Sequence, residues 1–229
     1  MKTVKGFEGI KEIKKDPNQL RVDHLNLVLD NIDLNASNQK FHKIEYFIRS
    51  YKITRLSLSS CQLSALTLHL PESLRALSIS HNKFSSLVPT VLRAKQLKEL
   101  NISHNHFKAI PKKLKKFPDI KNIDLSSNQI AKFNKKPFKH LKKINVLKLS
   151  NNKITSISVG LKYFLQLKEL DLSHNQLKEI PEFFFEVYGQ PQGHHSPIET
   201  LNLSHNPLSK LPKSLRSCIL LVTLDIRGT

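Results

Sequence analysis

Four histidines in a shared Ser-His-Asn triplet are the side chains whose type and spacing best suit chemistry. They are His81, His104, His174 and His205. Adjacent β-strands lie about 4.8 Å apart, so triplets on neighbouring strands would place two imidazoles side by side. Imidazole nitrogens bind zinc and copper. Because two imidazoles without further ligands make a poor metal site, we expect no metal and no other cofactor.

The remaining nucleophiles lack the neighbours that would activate them. No serine stands in a Gly-x-Ser-x-Gly context, and the sequence has no glycine-rich phosphate-binding loop. The two cysteines, Cys61 and Cys218, occupy apolar positions of the repeat described below, where burial works against a reactive thiolate. Two buried thiols far apart in sequence are typical of a reducing compartment. The sequence therefore predicts a protein that is not an enzyme and takes no small-molecule substrate.

An 11-residue pattern recurs along most of the chain. Its template is Leu-x-x-Leu-x-Leu-x-x-Asn-x-Leu, with other apolar residues allowed for leucine, and residues 167–177 (LKELDLSHNQL) match it closely. Copies begin at residues 22, 53, 74, 97, 120, 144, 167, 198 and 221. Successive copies are 21 to 24 residues apart, except for two intervals of 31. Such a period indicates stacked repeats, each of which buries its leucines against the next.

This pattern resembles the leucine-rich-repeat family across residues 22–229. The resemblance implies an α/β horseshoe solenoid of about nine repeats, with a parallel β-sheet on the concave side and 3₁₀ or short helical segments on the convex side. The 23-residue units resemble the intracellular class of the family, whereas residues 70–82 resemble the shorter repeats of bacterial effector proteins. Three convex segments with proline in second place favour short helical or 3₁₀ turns over strands: 110–117, 180–187 and 211–218.

The position of the template occupied by Asn is mostly polar, although the chain turns there. We call this set of equivalent positions the asparagine column. A turn at that point leaves backbone groups buried, and an amide side chain supplies both donors and acceptors for them. Cys61 is a substitution that the family pattern permits, and Asp30 and Thr229 lie in terminal repeats, which usually deviate. The other members of the column are asparagines: Asn82, Asn105, Asn128, Asn152, Asn175 and Asn206.

The two long intervals and the chain ends suggest how the domain is organised. Residues 1–52 are interpreted as an N-terminal capping region with a divergent first repeat and a helix at 39–51, where apolar residues have helical spacing. Residues 53–229 form the repeat array. Residues 188–197 are an insertion rich in Gly, Pro and Gln that predicts a rim loop. This loop is either a tolerated surface insertion or a contact with a partner through Tyr188, His194 and His195. The sequence stops in mid-repeat, so it is a fragment, its last turn is shielded by a partner, or that end frays.

The concave face is predicted to be small, polar and mildly acidic. Its outward positions include five acids and three bases, and most others are Ser or Asn. A rigid, pre-ordered sheet loses little entropy on binding. We therefore predict a non-catalytic protein–protein interaction module that uses the rim loop and the following concave residues: Arg55, Glu99, Asn101, Asp124, Lys148, Glu169, Asp171, Asn202 and Asp225.

The net charge of +19 is concentrated elsewhere. Residues 108–143 hold twelve lysines and two acids, a local excess of 12 − 2 = +10. A belt of this kind is either a solvated face that resists aggregation or a surface that binds nucleic acid or anionic lipid. Phe117, Phe133 and Phe138 are expected to point inward, which argues against base stacking. The candidate belt residues are Lys112, Lys113, Lys115, Lys116, Lys135, Lys136, Lys139, Lys142 and Lys143.

The ends of the sequence bear on localisation. The N-terminal lysines are not followed by the apolar run of a secretion signal, and no stretch of 18 apolar residues would span a membrane. We therefore expect a cytoplasmic protein, or one that acts in a host cytosol if it is a translocated effector.

Overall fold

The structure is a computed structural model that describes residues 2–5, 25–28, 48, 52–134, 136–138, 141–158, 160, 163–186 and 196–229. The chain divides into two compact units, Met1–Asn105 and His106–Thr229. Within the described ranges, no helix is long and apolar enough to cross a membrane.

The first unit contains parallel strands that follow one another in chain order. Each strand pairs in parallel with the next, and the register shifts once, where β2 meets β3. The first strand was not predicted, because its four residues are too few and too polar to show a pattern. The elements are β1 (Lys2–Lys5), β2 (Leu25–Val28), β3 (Ile53–Ser57), β4 (Ala76–Ser78), the 3₁₀ helix η1 (Val91–Arg93) and β5 (Glu99–Asn101).

The second unit contains a five-stranded parallel sheet in the order β6-β8-β10-β11-β12 and a separate parallel pair, β7 with β9. The five strands are β6 (Asn122–Asp124), β8 (Val146–Lys148), β10 (Glu169–Asp171), β11 (Thr200–Asn202) and β12 (Thr223–Asp225). The pair consists of β7 (Lys132–Asn134) and β9 (Ser156–Ser158). The 3₁₀ helices are η2 (Lys112–Lys116), η3 (Glu182–Phe184) and η4 (Lys213–Ser217).

The predicted fold class is confirmed, because every copy of the 11-residue pattern supplies one parallel strand to the sheet of its own unit. The copy that begins at residue 22 forms β2, and the copy that begins at residue 221 forms β12. Side chains along the strands alternate between the interior and the surface as predicted. In β8, Leu147 is fully buried, whereas its neighbours Val146 and Lys148 are half-buried and face outward. Of the helix predicted over 39–51, only Ile48 lies among the described residues, where it is helical and buried.

The asparagine column satisfies the buried turn backbone as predicted. The Oδ1 of Asn152 accepts a hydrogen bond from the Ile130 N–H in the preceding repeat at 2.9 Å. Its Nδ2 lies within hydrogen-bond distance of the carbonyl oxygens of Leu125, Leu149 and Ser150, at 3.0, 3.0 and 3.1 Å. Each ladder asparagine therefore links its own turn to the turn before it. Similar bonds are made by Asn82, Asn105, Asn175 and Asn206.

The three segments predicted as short helical or 3₁₀ turns contain 3₁₀ helices, and each helix begins after a proline. Pro111, Pro181 and Pro212 precede η2, η3 and η4 with φ of −63°, −60° and −71°. Proline fixes φ near this value and has no N–H to leave unpaired. These segments close the repeats on the side opposite to the strands.

Glu182 connects η3 to η4, and no pattern in the sequence predicted this role. Its Oε1 and Oε2 accept hydrogen bonds from the backbone N–H groups of Lys213 and Ser214 at 3.0 and 3.1 Å. The Ser214 hydroxyl donates to the Glu182 carbonyl oxygen at 2.5 Å. The N–H of Lys213, followed by that of Ser214, lowers the pKa of the Glu182 carboxyl from its ordinary value of 4.5. The carboxylate thereby holds the start of η4 against η3.

We expect Glu182→Gln to reduce the melting temperature at neutral pH and to have less effect as the pH falls below the ordinary pKa of a glutamate. A carboxyl whose pKa is lowered by folding stabilises the protein above its ordinary pKa, and this contribution is lost as the pH falls through the lowered value. Melting curves of both proteins across this range measure the difference. A difference that does not change with pH would contradict the role of the carboxylate charge.

Candidate partner-binding surface

The outward side chains of the five-stranded sheet in the second unit form two rows, which together we call the strand face. The registers align each row across neighbouring strands. The first row is Asn122, Val146, Glu169, Thr200 and Thr223. The second row is Asp124, Lys148, Asp171, Asn202 and Asp225. Just beyond the strands, Ser150, Ser173 and Ser204 are buried.

Lys148 is the centre of the strand face. Its strand pairs with those of Asp124 and Asp171, which lie beside it in register. Its Nζ forms an ion pair with Glu169 Oε1 at 3.1 Å. The hydrogen bond to Glu169 is the largest cause that raises the pKa of Lys148; Coulombic attraction by Glu169, Asp124 and Asp171 adds to it. Three carboxylates surround one ammonium group, so this cluster carries a net charge of −3 + 1 = −2.

The aspartates of the second row have a structural use that sequence reasoning missed. Asp124 Oδ1 accepts hydrogen bonds from the N–H and the hydroxyl of Ser126 at 2.9 and 2.6 Å. Asp171 makes the same two bonds with Ser173, at 2.9 and 2.7 Å. This is an Asx turn that ends the strand. The signal was present in the sequence as Asx-x-Ser at successive strand ends.

Asparagine performs the same turn without a charge. Asn202 Oδ1 accepts from the N–H and the hydroxyl of Ser204 at 3.0 and 2.7 Å. In the first unit, Asn101 makes the corresponding bonds with Ser103. An amide oxygen is therefore sufficient for the turn. The negative charges of Asp124 and Asp171 are not needed to end the strands.

Asp225, at the margin of the strand face, is already paired. Its carboxylate accepts from Arg227 Nε at 3.0 Å and from Nη2 at 2.6 Å. These side-chain bonds, followed by one from the Arg227 N–H, lower the pKa of Asp225 to about 2. Its charge is balanced locally, and it offers less to a partner than the cluster around Lys148.

The candidate residues of the first unit form a separate arrangement. Arg55 Nη2 and Glu99 Oε2 are 2.5 Å apart, and the registers place Ala76 between their strands. Ala76 is 7% exposed, because the ion pair passes over its small side chain. Below this pair, four serine hydroxyls bond to one another: Ser57, Ser59, Ser78 and Ser80.

Comparison with known families identifies the repeat. A family described as leucine rich repeat matches residues 72–130 and 118–177, and a further leucine-rich-repeat family matches residues 197–218. The chain belongs to the leucine-rich-repeat family. Comparison with curated proteins finds no match.

Solved leucine-rich-repeat structures share this fold at low sequence identity. A protein of Leptospira interrogans has a TM-score of 0.71 and 23% identity, over 90% of this chain and 49% of that one. An internalin from Listeria monocytogenes has a TM-score of 0.68 and 22% identity, over 91% of this chain and 55% of the internalin chain. A chain of the Toll–Spatzle complex of Drosophila has a TM-score of 0.68 and 22% identity, over 90% of this chain and 27% of that one. This chain therefore spans about half of the first two proteins and about a quarter of the third.

The histidines of the Ser-His-Asn triplets are turn residues of the leucine-rich repeats. His81 and His104 have φ of 52° and 50°, and His174 and His205 have 52° and 54°. Histidine is one of the residue types enriched in this left-handed region. The same position is occupied elsewhere by other residues with positive φ: Ser60, Ser127, Asn151 and Gly228.

The imidazoles do meet in pairs, as the repeat spacing predicts. The ring centroids of His81 and His104 are 3.9 Å apart with an interplanar angle of 11°, and those of His174 and His205 are 4.2 Å apart with 15°. In parallel stacked rings the nitrogen lone pairs lie side by side and do not converge on one ion. Among the described residues, no group of three or more His, Cys, Asp or Glu side chains could hold a metal.

Both cysteines are buried and free of disulfides. Burial raises the pKa of the Cys218 thiol, and the Cys61 thiol donates to the Ser59 carbonyl oxygen at 3.3 Å. Both positions are interior positions of leucine-rich repeats, as the pattern indicates. The predicted contact residues of the rim loop, Tyr188, His194 and His195, lie outside the described residues and stay predictions.

Proposed function

We propose that this chain is a non-catalytic scaffold that binds a protein partner through the strand face of its second unit. Leucine-rich repeats commonly serve protein–protein interaction, and the Toll–Spatzle complex is one example among proteins that share the fold. The observation that carries the proposal is the cluster of Asp124, Glu169 and Asp171 around Lys148, which keeps a charge of −2 on an outward surface.

The partner segment that fits this cluster is basic. A carboxylate presents two oxygens to donors, and the Asx turns use only Oδ1 of Asp124 and Asp171. The neighbouring outward residues, among them Thr200 and Asn202, are short. An extended segment with arginine or lysine side chains can therefore lie across the strands close to the sheet. Opposite charge also increases the association rate and disfavours acidic partners.

We expect the triple variant Asp124→Asn, Glu169→Gln, Asp171→Asn to lose binding of a basic probe by at least about tenfold, because each close charge–charge contact contributes about 1 kcal/mol or more. The Asn side chains keep the Oδ1 bonds of the Asx turns, so the fold is preserved. The probe is a fluorescent decapeptide of alternating arginine and serine, measured by anisotropy at low salt. A glutamate–serine decapeptide tests the sign of the interaction.

A matched control changes net charge by the same amount elsewhere. The variant Glu72→Gln, Glu179→Gln, Glu186→Gln removes three carboxylates that lie outside the strand face, and we expect it to bind the peptide like the wild type. Affinity-purified proteins compared between the two variants then show whether physiological partners depend on the same cluster. Equal binding by both variants would refute the proposed site.

A further inference from the structure

The lysines of residues 108–143 that the structure describes are exposed on the second unit, away from the strand face. In η2, Leu114 is buried, whereas Lys112, Lys113, Lys115 and Lys116 are exposed. A 3₁₀ helix has three residues per turn, so side chains three apart lie above one another. The four lysines therefore form two short rows that flank the buried Leu114.

The next repeat extends this surface. Lys132, Lys136, Lys142 and Lys143 are also exposed, and Lys143 Nζ forms an ion pair with Asp119 Oδ1 at 2.5 Å. Lys135 and Lys139 lie outside the described residues. The other acid of residues 108–143, Asp124, belongs to the strand face. Two adjacent repeats thus present a strip of ammonium groups, which we call the lysine belt.

The described residues of the belt expose charged side chains but no large apolar ones. Phe117, Phe133 and Phe138 are fully buried, as predicted, and none of the exposed large apolar side chains of the described residues falls within 108–143. Base stacking requires exposed aromatic rings. Lysine is a compact point charge and lacks the bidentate geometry of arginine. A ligand of the belt is therefore recognised by closely spaced phosphate charges and not by its bases or acyl chains.

The surface chemistry of the belt favours nucleic acid over an anionic bilayer. Attachment to a bilayer combines charge with apolar side chains that enter the boundary of the acyl region, and the described residues of the belt expose no large apolar side chain. Contacts to phosphates alone are sufficient for non-specific binding of nucleic acid. We propose that the lysine belt binds the phosphate backbone of double-stranded nucleic acid without sequence preference.

The test measures binding of a fluorescent 24-base-pair DNA duplex to the full chain by anisotropy. We expect a micromolar-range Kd at about 50 mM salt and a loss of at least about 30-fold in affinity by about 200 mM. Two duplexes of different sequence should bind equally, and a single strand should not bind more tightly than the duplex. A strong preference for one sequence or for the single strand would overturn the proposal.

Charge reversal with a matched control locates the site. The belt variant Lys112→Glu, Lys113→Glu, Lys115→Glu, Lys116→Glu and the control variant Lys83→Glu, Arg93→Glu, Lys95→Glu, Lys98→Glu both lower the net charge from +19 to 19 − 8 = +11. We expect at least about a tenfold loss of affinity and a shallower salt dependence in the belt variant, against less than about threefold in the control. Equal losses would show that only the total charge matters, and would overturn the assignment to the belt.

Two further measurements distinguish duplex binding from a loss of folding and from binding to a membrane. The same four lysines changed to glutamine, with melting curves as a check of folding, give a weaker loss in the same direction if the belt binds the duplex. Vesicles of phosphatidylcholine and phosphatidylserine in a 7:3 ratio test the bilayer. Belt-dependent vesicle binding without duplex binding would overturn the proposal in favour of a membrane. The proposed partner-binding cluster on the strand face does not depend on this result, because its variants leave the belt intact.

Discussion

Replacement of Phe184 by alanine is expected to destabilise the protein by about 4 kcal/mol. Phe184 is fully buried in the second unit. Its ring packs edge-to-face with Phe185 at 4.8 Å and with Phe133 at 6.2 Å between centroids. Truncation removes the apolar surface of the ring and leaves a cavity that the surrounding repeats cannot fill. Urea unfolding followed by circular dichroism measures the change.

The adjacent Phe183 provides the control. It belongs to the same 3₁₀ helix but is 45% exposed, so Phe183→Ala is expected to cost less than about 1 kcal/mol. Residue type, helix and substitution are identical, and only burial differs. Similar effects of the two substitutions would show that the orientation of η3 is wrong.

Replacement of Asn152 by alanine is expected to cost about 3 kcal/mol. The substitution removes the acceptor of the Ile130 N–H and the donor to three buried carbonyl oxygens. Each buried group left unsatisfied costs about 1–3 kcal/mol, and relaxation of the turn recovers part of the sum. Chemical unfolding compared with Lys153→Ala isolates the ladder, because Lys153 is exposed and an alanine keeps its backbone hydrogen bond to the Ile130 carbonyl oxygen.

Asn152→Asp tests whether the side-chain nitrogen of Asn152 is the group that donates to the buried carbonyl oxygens. The carboxylate keeps an acceptor for Ile130 but replaces the donating amide by oxygens that face the carbonyl groups of Leu149 and Ser150. Burial beside acceptors raises a carboxyl pKa, so stability is retained at low pH and lost as the pH rises through the raised value. A stable Asp variant at neutral pH would refute the assignment of Nδ2 as the donor.

The strands, the ladder and the 3₁₀ turns could be predicted because their signals are local and repeated. Two-residue alternation, a buried amide at each turn and a proline before each of three 3₁₀ turns depend on a few consecutive residues. β1 and the β7–β9 pair were missed, since three or four residues with mixed polarity carry no distinctive pattern. The turn role of the histidines was visible only once their positive φ was known.

The candidate surface was only partly predictable, for a different reason. The outward residues follow from alternation, and the strands place Asp124, Lys148 and Asp171 side by side. Counting acids and bases could not show which charges are already balanced. Arg55 with Glu99 and Asp225 with Arg227 neutralise each other, so the free negative charge is concentrated around Lys148.

The sequence by itself determined the repeat, the residues that face inward and the asparagines that satisfy each turn. These properties follow from the backbone period, which is the same in every copy. The tertiary structure decided which side chains become partners. Arg55 and Glu99 are 44 residues apart in sequence, and Glu182 reaches the backbone of Lys213 in the following repeat. Such pairs depend on the rotamers and lengths of side chains brought together by stacking, and a one-dimensional pattern does not encode those distances.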